Sequence, residues 1–142
     1  MKFVHYKSLL SNGNTITIQL KEPCKCRIAL TAISIPNFNV RGALENAVDI
    51  FCDQIDSTFE NPHRLLQRIP FNRLEKDEHF NTWTAQHIQL EKVDSDDDFL
   101  TLTIKRTINE DNLKFVKAKD PDIFITLLFM EETEPTHWNT YI

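Results

Sequence analysis

An apolar run closed by a proline constrains this chain more than any other feature. From Cys26 to Val40 it reads Cys-Arg-Ile-Ala-Leu-Thr-Ala-Ile-Ser-Ile-Pro-Asn-Phe-Asn-Val. The stretch Ile28 to Ile35 is apolar on both faces, as expected of a strand covered on both sides. Pro36 has no amide proton for a ladder, so the strand ends there. The preceding segment, Thr15 to Leu20, alternates strictly: Ile16, Ile18 and Leu20 fall on one face, Thr15, Thr17 and Gln19 on the other.

The same idiom of short strands and polar turns continues to the far end. Strands are expected at Phe3 to Leu10, Ala47 to Asp53, Arg64 to Ile69, Thr84 to Val93, Phe99 to Lys105, Leu113 to Val116 and Ile123 to Met130. Ser11-Asn12-Gly13-Asn14 reads as a hairpin turn between the first two strands, and Asp94 to Asp98 as a solvated hairpin turn. Turn signals every 8 to 14 residues or so, with about eight strands in all, are the pattern of sandwiches and jelly rolls. The best helical window, Gly42 to Cys52, is rich in β-branched and aromatic residues that favour a strand, leaving a short helix at Gly42 to Asn46. The expected core includes Ile16, Ile18, Leu20, Ile28, Leu30, Leu100, Leu102, Ile104, Ile125 and Leu127.

Composition narrows the function. A chain of 142 residues is one domain's worth, long enough for a core without staples. A net charge of −5 argues against a nucleic-acid face, which needs clustered Lys and Arg. No segment approaches the ~18 consecutive apolar residues of a membrane-spanning helix. The N-terminal Met-Lys-Phe-Val-His-Tyr-Lys-Ser lacks the apolar stretch of a secretory signal, so the expected location is cytosolic or nuclear rather than secreted. Only Gly13 and Gly42 occur, too few for phosphate-cradling loops.

The groups that could do chemistry are scattered. Cys24, Cys26 and Cys52 lack the second close-spaced pair of a metal site and are expected to be reduced. Asp94 to Asp98 lacks the glycine, terminal Glu and flanking helices of a calcium loop. His5, His63, His79, His87 and His137 stand singly, and no serine sits in a nucleophile elbow. Asp49 and Asp53 share one strand face, which solvent exposure explains equally well. The expectation is a protein with no catalytic residues, no cofactor and no metal. Trp138, Tyr141 and Ile142 follow a polar, proline-bearing linker; such a tail either folds back or docks on a neighbour.

Three blocks carry a resemblance. The first is Ile16 to Leu20, Pro23, and Arg27 to Val40 with its Pro-Asn-Phe-Asn-Val ending. The second is Val48-Asp49-Ile50-Phe51-Cys52-Asp53-Gln54-Ile55 with Leu65-Leu66-Gln67-Arg68-Ile69-Pro70. The third is Leu100 to Phe129, read as a closing hairpin ending Leu127-Leu128-Phe129. Together these resemble the minor capsid (penton) proteins of Polinton/Maverick elements and adintoviruses, over about residues 15 to 130. Two departures stand out: the tryptophan usual before the second strand is replaced near Lys25-Cys26, and the glycine of the closing turn is missing.

The resemblance implies an all-β, single jelly-roll sandwich over residues 1–130 with a tail at 131–142. It implies a structural self-assembling subunit, found in a virion or in host cytoplasm or nucleus. The expected partners are further copies of itself and a major capsid protein, with no nucleic acid and no membrane. The alternative is a domesticated cellular jelly-roll module that mediates dimerisation or scaffolding. Phe3 and Tyr6 on the first strand, with Trp138 and Tyr141 in the tail, are the expected oligomer-interface residues, because open sheet edges are either blunted or used for association.

Overall fold

The computed structural model describes residues 2–9, 15–23, 25–37, 47–106 and 122–131. Ten strands run through them: β1 (Lys2–Leu9), β2 (Thr15–Gln19), β3 (Lys25–Pro36), β4 (Ala47–Cys52), β5 (Leu65–Pro70), β6 (Glu75–Lys76), β7 (Phe80–Thr84), β8 (Glu91–Asp94), β9 (Phe99–Arg106) and β10 (Asp122–Glu131). A single 3-10 turn, Phe71–Arg73, joins β5 to β6.

The strands form two antiparallel sheets, consistent with a β-sandwich. The first has the order β1-β10-β3-β7-β6, with β8 also paired to β3; the second has the order β2-β9-β4-β5. Side-chain alternation explains why they close on each other. In β2, Ile16 and Ile18 are buried between exposed Thr15, Thr17 and Gln19. Ile16 stands opposite Leu102, Leu102 opposite Cys52, Ile18 opposite Leu100 and Ile104 opposite Ile50, so the central inner rungs of the second sheet are apolar from strand to strand. Ile28, Leu30, Ile33 and Ile35 of β3 and Ile123, Ile125 and Leu127 of β10 face them in one cluster. Nine of the ten residues expected in the core are buried there, and Leu20 packs partly against it.

The unbroken apolar run of β3 has a specific cause. Its pairing with β10 slips between Thr126, opposite Ala32, and Leu127, opposite Leu30. Thr31 is the extra residue of this bulge, and its hydroxyl donates to the Thr126 carbonyl at 3.1 Å. The slip moves the inward set from even positions (Cys26, Ile28, Leu30) to odd ones (Ile33, Ile35), so the run looks apolar on both faces.

Pairing is nested. β1 pairs with β10, β2 with β9, β3 with β8 and β7, and β4 with β5. This corrects three turn readings. β1 and β2 lie in different sheets and do not pair, so they form no hairpin; the turn expected at Ser11 to Asn14 itself lies outside the described residues. β8 and β9, on either side of Asp94 to Asp98, are likewise split between the sheets, as are β9 and β10, which are no closing hairpin. Turn residues specify a reversal, but a handful of residues also spans the ~10 Å between sheets. Burial of each strand's apolar face then decides which sheet receives it.

The expected strand Thr84 to Val93 is likewise broken in two. Ala32 pairs with Thr84 and Ile28 with Glu91, so three residues of β3 (29–31) face six (85–90). Ala85 keeps one bond to β3, its N–H donating to the Thr31 carbonyl at 2.8 Å, and the three-residue excess displaces 86–90 from the sheet. The expected strand at Leu113 to Val116, the short helix at Gly42 to Asn46 and the tail at 131–142 lie outside the described residues, apart from Glu131 at the end of β10.

Candidate functional site

Of the expected interface residues, Phe3 and Tyr6 lie on opposite faces of β1. Phe3 pairs with Leu128, which pairs with Ala29, and this row lies on the face of the first sheet turned away from the core. Phe3 is 54% exposed, whereas Leu128 and Ala29 are buried. Tyr6, opposite Ile125, turns inward and packs against the core; burial raises its phenol above the ordinary value. Trp138 and Tyr141 lie outside the described residues. On the same outer face His5 meets the Thr126 hydroxyl at 2.8 Å, and Phe124 stacks edge-on against Phe80 at 6.3 Å. β1 borders its sheet, so its second edge has no strand partner among the described residues.

The candidate acids and nucleophiles are committed elsewhere. Asp49 is 2% exposed, not solvated as its face alone suggests. Arg68 donates to both its oxygens, from Nε at 2.8 Å and Nη2 at 2.9 Å. That hydrogen bonding holds the Arg68 guanidinium above its usual value. Asp53 is exposed and donates its backbone N–H to the Thr101 carbonyl, so the two aspartates form no acid–base couple. Cys52 is fully buried, and loss of hydration pushes its thiol up to about 11. Cys26 is disulfide-bonded, a correction to the expectation of three reduced cysteines, its partner sulfur lying outside the described residues. His5, His63, His79 and His87 are all exposed. Among the described residues no three His, Cys, Asp or Glu side chains come together.

Two features that the sequence does not announce carry more structure. The first is a half-open cup of about 410 Å³ where β5, at the border of the second sheet, faces β7. Its floor is Trp83, which pairs with Ile33 and packs partly against the core. One wall is Gln67, Arg68 and Pro70 of β5; the other is the displaced segment with Gln86, His87 and Ile88. Arg73 and Glu75 close the end.

The end wall is fixed by hydrogen bonds. Asp77 Oδ1 accepts from the backbone N–H of His79 at 2.8 Å and of Phe80 at 2.7 Å, tying the β6–β7 turn. Those bonds, that to Phe80 first, hold the Asp77 carboxyl below its usual value. Buried Asn81 donates to Asn37 Oδ1 at 3.0 Å, and Asn37 Nδ2 donates to the Asp77 and Glu78 carbonyls, anchoring the hairpin to the end of β3.

The second feature is the loop between β4 and β5. Ser57 Oγ donates to the Pro62 carbonyl at 3.0 Å, and the Asn61 N–H to Thr58 Oγ1 at 3.0 Å. The Asn61 amide pairs with both backbone groups of Leu65 at 2.9 Å. Arg64 adopts a φ of 61°, in the left-handed region that costs a non-glycine residue energy, and its Nε donates to the Ile55 carbonyl at 3.0 Å. At the tip of this braced arch Phe59 is fully exposed.

Neither feature is legible locally, because each is made of side chains from separated segments or from a loop. The available signals were the broken need for register in Thr84 to Val93 and an aromatic residue inside a polar, proline-bearing loop.

Comparison with protein-family models, curated proteins and solved structures finds no match.

Proposed function

We propose that this chain is a structural, self-assembling jelly-roll subunit, similar in role to the minor capsid (penton) proteins its sequence blocks resemble. The observation that carries the reading is the nested pairing. One long hairpin, β1 to β4 against β10 to β5, rolled so that its strands alternate between sheets, gives the orders β1-β10-β3-β7 and β2-β9-β4-β5. That is the topology expected of a jelly roll, an architecture used for capsid shells. The short strands β6 and β8 extend or interrupt positions within it rather than adding to it.

Further support comes from what the chemistry-bearing groups do. Asp49 is bound by Arg68, the Cys52 thiol is buried and hard to ionise, and the histidines are dispersed. Such a chain acts through its surfaces, as a non-catalytic module with no cofactor. The partners are further copies and a major capsid protein, in a virion or in host cytoplasm or nucleus. The outer edge of β1, with Phe3 beside it and Trp138 and Tyr141 supplied by the tail, is one surface for strand addition or tail docking. Light scattering on the intact chain and on a chain lacking residues 136–142 tests the reading. A defined oligomer that loosens without the tail is expected; monomers at micromolar concentration in both samples would sink it.

A further inference from the structure

We infer that the chain's own last residues, 132–142, seat on the outer face of the first sheet at its Met130 end, where Trp138, Tyr141 and Ile142 cover Leu128, Met130 and Ala29. The contact lies within one chain and needs no association; it gives the tail residues of the assembly reading a place on the molecule, beside Phe3.

Register and burial together demand a cover there. Ile123, Ile125 and Leu127 of β10 face the core, which puts Phe124, Thr126, Leu128 and Met130 on the outer face. Leu128 pairs with Ala29 and Met130 with Arg27. A face open to water leaves large side chains partly exposed, as it leaves Phe3 at 54% and Phe124 at 42%. Leu128 is 1% exposed and Met130 3%, as deep as the core itself. A sheet whose strands are buried on both faces is a sheet covered on both faces.

Among the described residues no segment supplies that cover. β1 and β3 flank β10 in its own plane. Gln86 to Gln89 line the cup between Trp83 and β5, on the core side of the sheet. Leu90 precedes the Ile28–Glu91 pair, so β3 separates it from β10 by two ladder spacings, about 9–10 Å. It shades Ala29 at most.

The gradient along β10 shows from which end the cover comes. Exposure rises along the outer row from Met130 and Leu128, through half-buried Thr126, to Phe124. Three of the stretches outside the described residues join the sheet at the exposed end. Residues 107–121 enter β10 at Asp122, residues 10–14 leave from Leu9 opposite Asp122, and residues 38–46 follow β3 beyond Ser34, opposite Phe124. A cover from any of them crosses Phe124 first. At the buried end the stretches are Met1, Cys24 and 132–142, and the first two are single residues.

Length and chemistry fit the tail. Its residues 132–142 extend to about 36 Å, whereas Leu128 is about 7 Å from Met130, so the chain has room to turn near Pro135 and run back. Its large apolar groups are Trp138, Tyr141 and Ile142. Its root is acidic, with Glu131, Glu132 and Glu134, and leaves beside the Met130 row, which continues through Arg27 to Lys92. Asp94, in the next row, pairs with Lys25 at 3.8 Å.

Met130 is a built-in probe, because peroxide converts an accessible thioether to its sulfoxide. The test compares Met130 oxidation by dilute hydrogen peroxide, read by peptide mass spectrometry, in the intact chain, Trp138→Asp and a chain lacking residues 136–142. Each is run at nanomolar and at micromolar concentration, with light scattering at the higher one. Unchanged circular dichroism and a Cys52 still closed to alkylation at pH 8 verify the fold. Slow oxidation of the intact chain at both concentrations is expected, and oxidation at least tenfold faster in each variant. Met130 that stays slow in either folded variant overturns the inference. Protection found only where copies associate overturns the contact within one chain and leaves the assembly reading standing. Tail-dependent protection in a chain that never associates upholds this contact and sinks the assembly reading.

Discussion

The two sheets are written in the same alternating idiom and differ in how strictly they keep it. In the second sheet β2 and β9 stay in register over five residues, and β9 and β4 over another five. Its one irregularity sits between Ile50 and Phe51, against the bordering strand β5. The first sheet carries a bulge in its central strand and a three-residue excess between the two strands beside it. The regular sheet supplies core and, through its bordering strand β5, one wall of the cup. The irregular one, where Trp83 is left at an open border, supplies the floor and the opposite wall. Where a strand departs from its ladder, side chains from different segments are free to converge.

The largest expected effect tests the regular side. Leu102 is fully buried, flanked by Ile16 and Cys52 on the neighbouring strands. Leu102→Ala is expected to cost about 2–5 kcal/mol in urea or guanidinium unfolding. A loss below 1 kcal/mol means that the second sheet is not the packed layer described.

Next comes the buried ion pair, whose halves are unequal. Asp49 is buried while the Arg68 side chain is 54% exposed. Arg68→Ala strands a carboxylate away from water and is expected to cost about 3 kcal/mol. Asp49→Asn leaves a guanidinium that water can reach, so its cost is expected to be smaller. Equal losses, read from denaturant midpoints, contradict this asymmetry.

The buried thiol gives a pH dependence of similar or smaller size. Burial raises Cys52 from its usual value of 9.0 to about 11 in the folded chain. The unfolded chain therefore sheds this proton first as pH rises. The thiol's contribution is full below pH 9 and is lost as pH climbs through about 11. The two-unit difference corresponds to at most about 3 kcal/mol. Cys52→Ala is expected to flatten stability between pH 9 and 11 relative to the parent, and alkylation of Cys52 at pH 8 is expected to require unfolding.

How much of this was legible in the sequence follows from the range of each signal. The i, i+2 spacing of Ile16 and Ile18, or of Leu100, Leu102 and Ile104, is local, and it identifies strands and inward faces without reference to a partner. Sheet membership is not local. Thr15 pairs with Thr103 and Phe3 with Leu128, and no property of residues 10–14 says that β2 will leave β1 for the opposite sheet. Asp49 illustrates the same limit: its alternation placed it on an outer face, but only Arg68 on the neighbouring strand makes it buried and paired. Tyr6 needs no partner to be placed, since alternation along β1 already sets it on the face opposite Phe3, beside Val4. The cup draws on β5, β7 and the residues between β7 and β8, and so was invisible to any reading that took Thr84 to Val93 as one strand.

The smallest expected effect belongs to the irregular side. Ile88, half-exposed on the displaced segment, carries no part of the core. Ile88→Ala is expected to change stability by no more than about 0.5 kcal/mol. A larger loss makes the displaced segment a structural element rather than a free wall of the cup.

The central claim, that this sandwich exists to associate with copies of itself, is tested most directly by native mass spectrometry of the intact chain at micromolar concentration. A single closed oligomer of defined copy number, dissociating to folded monomers on dilution, is the expected result. A spectrum that holds only monomer across the whole micromolar range would contradict it.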